Sequence, residues 1–121
     1  MLKGNLQIVV RNLTRNTLLA DAAELADTSE KRRTGLLKHK RLDPGQGIWI
    51  VPCESVHSFF MKFAIDLIYL DRNKKVRKVR HRMAPWRLSM CLTAHSILEL
   101  PAGAAAATGT QAGDQLEIEE Q

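Results

Sequence analysis

Cys53, His57 and Met61 follow one another at four-residue intervals, and Asp66 comes five residues later. The first three are side chains that soft metals accept, and a histidine near an acid can move a proton. The segment VPCESVHSFFMKFAIDLIYLD, residues 51–71, therefore raises metal binding or acid–base chemistry before anything else. Backbone geometry decides between them. Side chains four apart on a helix lie about 6 Å from each other, close enough to share an ion. On a strand the same step covers about 13 Å, and one ion cannot bridge all three.

The helical case rests on Val56, Phe59, Phe60 and Phe63, which recur at helical spacing. The extended case rests on an uninterrupted alternation from His57 through Phe59, Met61, Phe63, Ile65 and Leu67 to Tyr69. Pro52 before the cysteine and the β-rich IDLIYL after it frame an extended element, so one long strand is expected. A metal site on Cys53 and His57 then needs ligands from elsewhere, such as Cys91, His95 or Asp66. Taken singly, Met61 suits a core, and Cys53 suits a small buried hydrophobe. His57, at the start of the apolar face, is the best single functional candidate. Asp66, among Ile65, Leu67, Ile68 and Leu70, needs a partner if buried. Backbone amides at a strand kink, Lys62 or Arg77 would serve.

The elements around these residues read as mainly β. Asn5 to Val10 is a short strand, and Leu18 to Ala26 is ambiguous between strand and helix. Asp27, with Glu30 three residues on, marks a helix start, and the helix is expected over residues 28–38. Residues 47–51, 65–70, 76–82 and 96–100 read as strands, with residues 71–74 turning a hairpin and Pro85 ending the third of these. A short helical turn is expected near residues 102–108, closed by Gly109, before a last strand carrying Leu116 and Ile118. The fold class is α+β, mainly β: an antiparallel, partly barrel-like sheet with one short helix. A chain of 121 residues is one domain, residues 1–121.

No run of eighteen apolar residues occurs, so no membrane span is expected. The N-terminal segment lacks the pattern of an export signal, which makes a cytoplasmic location the expectation. Two cysteines do not make a disulfide framework. The net charge of +5 is uneven: residues 72–87, from Arg72 to Arg87, hold eight Lys and Arg, and no acid lies between Asp71 and Glu99. An anionic partner could use that segment.

Several short motifs together resemble domain-of-unknown-function family 192, small bacterial and archaeal proteins. They are Ala26-Asp27, Gly35-Leu36-Leu37, Phe59-Phe60-Met61-Lys62, Ile65-Asp66-Leu67, Leu98-Glu99-Leu100-Pro101-Ala102-Gly103 and Gly113-Asp114. Pro52, Cys53, Val56 and His57, with Pro85-Trp86-Arg87, resemble the branch that carries Pro-Cys-x-x-Val-His. Phe60-Met61-Lys62-Phe63-Ala64 stands where the family commonly has Trp-Met-Lys-Asn-Thr. The resemblance implies a β-rich fold with residues 18–26 as a strand, and it implies no reaction.

Three function classes follow. The first is a non-enzymatic binding or accessory domain for a small molecule or protein, with His57, Ser58, Met61, Asp66, Trp86 and Arg87 as candidate ligand-binding residues. No nucleophile–base motif or phosphate loop argues otherwise, so no catalytic residue and no cofactor are assigned. The second is a metal-binding or hydrolytic protein using Cys53, His57 and Asp66. The third is nucleic-acid binding through residues 72–87, where Lys78, Arg80 and Arg82 share a face. Six aromatic residues in the whole chain leave it little stacking surface.

Overall fold

A computed structural model describes residues 7–37 and 39–121. Nine strands and two short helices occur among them: β1 (Gln7–Asn12), β2 (Thr17–Ala26), α1 (Ser29–Thr34), β3 (Gln46–Ile50), β4 (Ser55–His57), β5 (Ile65–Leu70), β6 (Val76–Met83), β7 (Leu88–Met90), β8 (Ser96–Pro101), α2 (Ala104–Thr108) and β9 (Leu116–Glu120). Seven strands form one sheet in the order β6-β5-β8-β3-β2-β1-β9, and β4 pairs with β7 in a separate ribbon. Pairing is antiparallel except between β2 and β3. The sheet curls until its edges meet at one end, where Lys75 bridges Gln115. The mainly β, partly barrel-like expectation holds.

The sheet has two apolar faces. The concave one gathers Ile8, Val10, Leu19, Ile68, Leu70, Val76, Leu98, Leu100 and Leu116 from both edges, with Ala105 of α2. The other gathers Ile48, Ile50, Leu67, Tyr69, Met83 and Ile97 beneath Leu36 and Met61. Strands β5 and β8 are apolar at nearly every position because both their faces are covered. Residues 18–26 form a strand despite their alanines and leucines. Ala20, Ala23 and Leu19 fill the core from a strand paired on both edges, and tertiary packing overrides helix propensity.

Two expectations need correction. The helix expected over residues 28–38 spans only Ser29–Thr34. Thr28, not Asp27, caps its start by accepting from the Lys31 N–H, and Gly35 at φ 49° ends it by donating to the Lys31 carbonyl. The expected end at Lys38 and the expected strand start at Asn5 and Leu6 lie outside the described residues. The long strand through residues 57–69 is two strands, β4 and β5, separated by a tight turn. Phe60 has φ 67°, which no extended strand accommodates, and the Met61 N–H closes onto the Ser58 carbonyl at 3.1 Å. Period two continued across the turn only as composition.

Asp66 is fully buried on the concave side of β5. Its carboxylate accepts from three backbone amides: Arg82 N–H at 2.8 Å, Gly103 N–H at 3.1 Å and Ala105 N–H at 2.8 Å. Of the partners foreseen for it, the kinked backbone is the one realised. The β5–β6 register shifts between Ile65 and Leu67, and Arg82 takes φ 49°, so its amide turns inward. Asp66→Ala would strand those donors, each worth roughly 1–3 kcal/mol when buried. The expected loss is at least about 3 kcal/mol in urea unfolding, and a loss under about 1 kcal/mol would contradict this account.

Candidate functional site

The turn that breaks the long strand also builds the site. Ser58 is fully buried. Its hydroxyl donates to the Ala84 carbonyl at 2.7 Å and accepts from the Arg87 N–H at 2.9 Å. Its backbone N–H donates to the Arg87 carbonyl, and its carbonyl accepts from Trp86 and Met61. One small residue thus stitches the loop after β6 to the turn after β4. Tyr69 anchors the ribbon from below, its hydroxyl 2.7 Å from Ser89 Oγ. Burial pushes that phenol above its ordinary range, which the Ser89 hydrogen bond only partly offsets.

Folding back at Phe60 brings Met61 beside the end of α1 and the residues that follow it, instead of two strand steps beyond His57. Cys53, His57 and Met61 consequently line one cleft of about 310 Å³ between α1 and the ribbon. Its apolar walls include Leu36, Ile50 and Val56, Arg32 stands at its rim, and Glu99 lies at its floor. The extended-strand geometry had kept the trio apart, and the turn reunites it.

Glu99 is the residue that sequence reasoning missed. It projects from the middle of β8 onto the same face as Ile97. Its cross-strand neighbours are Ile48 on β3 and Leu67 on β5. Only 5% of its surface is exposed, and no hydrogen bond or ion pair from a described residue reaches its carboxyl. Burial alone pushes the group up to about 7. An acid inside Ile97-Leu98-Glu99-Leu100 carries the same signal that singled out Asp66, and it could have been found that way.

The other candidates take varied positions. The Cys53 thiol is pushed up by burial, and its S–H donates to the Ser55 carbonyl at 3.1 Å. That keeps it a thiol, which neither attacks nor binds metal as a thiolate does. His57 is exposed, accepts from the Phe59 N–H at 3.3 Å and stacks on the Phe59 ring at 4.8 Å. Asp66 lies on the opposite face of the sheet, bound to the α2 segment. Trp86 and Arg87 are exposed beyond the ribbon. Among the described residues, no three His, Cys, Asp or Glu side chains are placed to hold a metal ion. Lys78 and Arg80 donate to the carbonyls of Met90 and Leu88 at 2.8 and 3.1 Å, clamping the ribbon to β6.

Residues 10–118 match the model of the DUF192 family, described as an uncharacterised ACR. The chain belongs to this family. A UPF0127 protein of Thermococcus sibiricus is 31% identical over 118 residues, covering 91% of this chain and 75% of the relative. The UPF0127 protein of Pyrococcus furiosus is 34% identical over 113 residues, covering 88% of this chain and 94% of the relative. A crystal structure of a Sinorhizobium meliloti protein, described as a candidate transcription regulator, superposes with TM-score 0.81 at 18% identity, over 98% of this chain and 96% of that one. That likeness carries the fold alone. No helix among the described residues is long and apolar enough to cross a membrane.

Glu99 makes stability depend on pH in a defined direction. Below its unfolded value near 4.5 both states are protonated and no penalty exists. As pH rises, the unfolded chain ionises first, so stability falls until the folded carboxyl also ionises near 7, then levels. The loss amounts to about 3 kcal/mol. Glu99→Gln removes it, so urea midpoints of the two proteins should diverge between pH 4.5 and 7 and stay apart above. Parallel profiles would show that Glu99 is solvated.

Proposed function

We propose that this protein is a non-enzymatic binding domain whose ligand sits in the cleft over Glu99. The observation that carries this reading is a carboxyl group, 5% exposed and with no partner among the described residues, in a cleft that also has apolar walls. An unpaired buried acid costs stability in every copy of the empty protein. A ligand that supplies a proton donor at that point removes the cost on binding. The walls of Leu36, Ile50, Val56 and Met61 suit a small apolar body. The head against Glu99 is a donor, the simplest being a primary amine. Cys53, held as a thiol, supports binding over nucleophilic catalysis. The segment Pro52, Cys53, Val56, His57 that shapes the cleft also supports membership of the Pro-Cys-x-x-Val-His branch.

Linkage fixes the pH signature. An ammonium head binds the ionised carboxylate, so its affinity should rise from pH 6 to pH 8 as Glu99 loses its proton. Matched sets of short alkyl and aryl amines, alcohols and carboxylates, titrated by NMR, separate the heads. Amines should perturb the amides around Ile50, Met61 and Glu99, and Glu99→Gln should weaken them about tenfold or more. Amine binding that ignores Glu99→Gln, or no perturbation at those amides by any of the three heads, would refute the reading.

A further inference from the structure

Five large apolar side chains stand in solvent on one side of the β4–β7 ribbon. Leu92 is 73% exposed, Phe60 69%, Leu88 68%, Met90 57% and Trp86 55%. Isolated exposed leucines are ordinary, but a contiguous patch marks an interaction surface. Alternation along β7 explains the aliphatic part. Ser89 turns inward to the Tyr69 hydroxyl, so Leu88 and Met90 turn outward. The aromatic part is held there by the backbone. Phe60 and Trp86 both take left-handed φ, 67° and 66°, and their rings meet at 4.6 Å. Left-handed φ is unfavourable for bulky residues, and here both positions are fixed by the bonds to Ser58.

Charge says what covers the patch. Every ionised side chain between Asp71 and Glu99 is basic, and Arg77, which reaches Thr93 beside Leu92, and Arg87 are exposed. The outer carbonyls of β7, on Leu88 and Met90, are already taken by Arg80 and Lys78. A peptide adding as a strand would find those acceptors occupied. An occupant that needs no backbone pairing, is apolar beneath and is anionic at its surface meets both conditions. We propose that this face docks on an anionic lipid bilayer, with the Trp86–Leu92 rim in the headgroup boundary and the arginines on lipid phosphates. This is independent of the cleft over Glu99.

The test uses the full chain and vesicles of phosphatidylcholine alone or with about one-third phosphatidylglycerol. Trp49→Phe leaves Trp86 as the only indole emitter. Co-sedimentation should require the anionic lipid, and Trp86 emission should shift to the blue. Leu88→Ser with Met90→Ser should lower partitioning about tenfold and remove the shift, since both side chains are exposed and the fold does not rest on them. Circular dichroism checks that fold. Absence from the anionic vesicle pellet would overturn the proposal. So would sedimentation without a Trp86 shift and unchanged in the double variant, which is adsorption by charge alone. Burial of Trp86 by poly-glutamate peptide or by self-association, with vesicles inert, would assign the face to a protein instead.

Discussion

The Asp66 carboxylate is the constraint on which the curl of the sheet depends. It gathers amides from a bulge in β6 and from the loop entering α2, two segments that share no strand pairing with each other. Burying a charge without such bonds would cost several kcal/mol, and three amide donors meet most of its acceptor capacity. The bulge tightens the twist of the β5–β6 edge. That edge can then swing toward β9, where Lys75 meets Gln115 and the Val76 N–H finds the Asp114 carbonyl. At the same end Asp114 makes a second buried-acid node. Burial would raise its pKa, but Arg15, Asn12 and the Gln111 amide outweigh burial and hold it below the usual carboxylate range.

Ser58 plays the corresponding part on the other face with a neutral group. A serine is small enough to be enclosed and can donate and accept at once, so it joins two loops without introducing charge. Its backbone closes the turn at Met61 and the loop at Trp86. The cleft and the exposed aromatic rim therefore arise from the same stitch. A side chain of that size in the middle of an apparent apolar strand is what allows the chain to reverse.

Strand identity was readable wherever periodicity reflected packing: residues 65–70, 76–83, 96–101 and 116–120 all announce themselves by β-rich composition and bounding turns. The helix start at residue 28 was readable to within one residue, because Asp27 and Thr28 are both competent caps. The turn at Phe60 was not, since no glycine, asparagine or proline marks its left-handed residue, and alternation ran on through it. For the same reason the convergence of Cys53, His57 and Met61 was hidden. The acid at residue 66 was flagged by its apolar neighbours and the acid at residue 99 was not, although their local sequences are equivalent. What separates them is which face of the sheet each meets, and strand order fixes that.

Asp66 and Glu99 lie on adjacent strands, offset by one register step, with Asp66 opposite Leu100 and Leu67 opposite Glu99. The pleat sends them to opposite faces. On the concave face the acid finds three amides, because α2 begins where the sheet ends and leaves N–H groups free. On the other face, no backbone N–H of a described residue donates to the Glu99 carboxyl. Two similar groups, one register step apart on neighbouring strands, are thus placed in opposite electrostatic conditions. One is satisfied by the fold itself and strengthens it. The other meets burial with no donor from a described residue, and burial pushes it up to about 7. An interior acid left in that condition next to open apolar volume is physically intelligible as half of an interaction whose other half arrives from solution. That asymmetry supports the cleft over Glu99, more than any motif in the chain, as the place to look for a ligand.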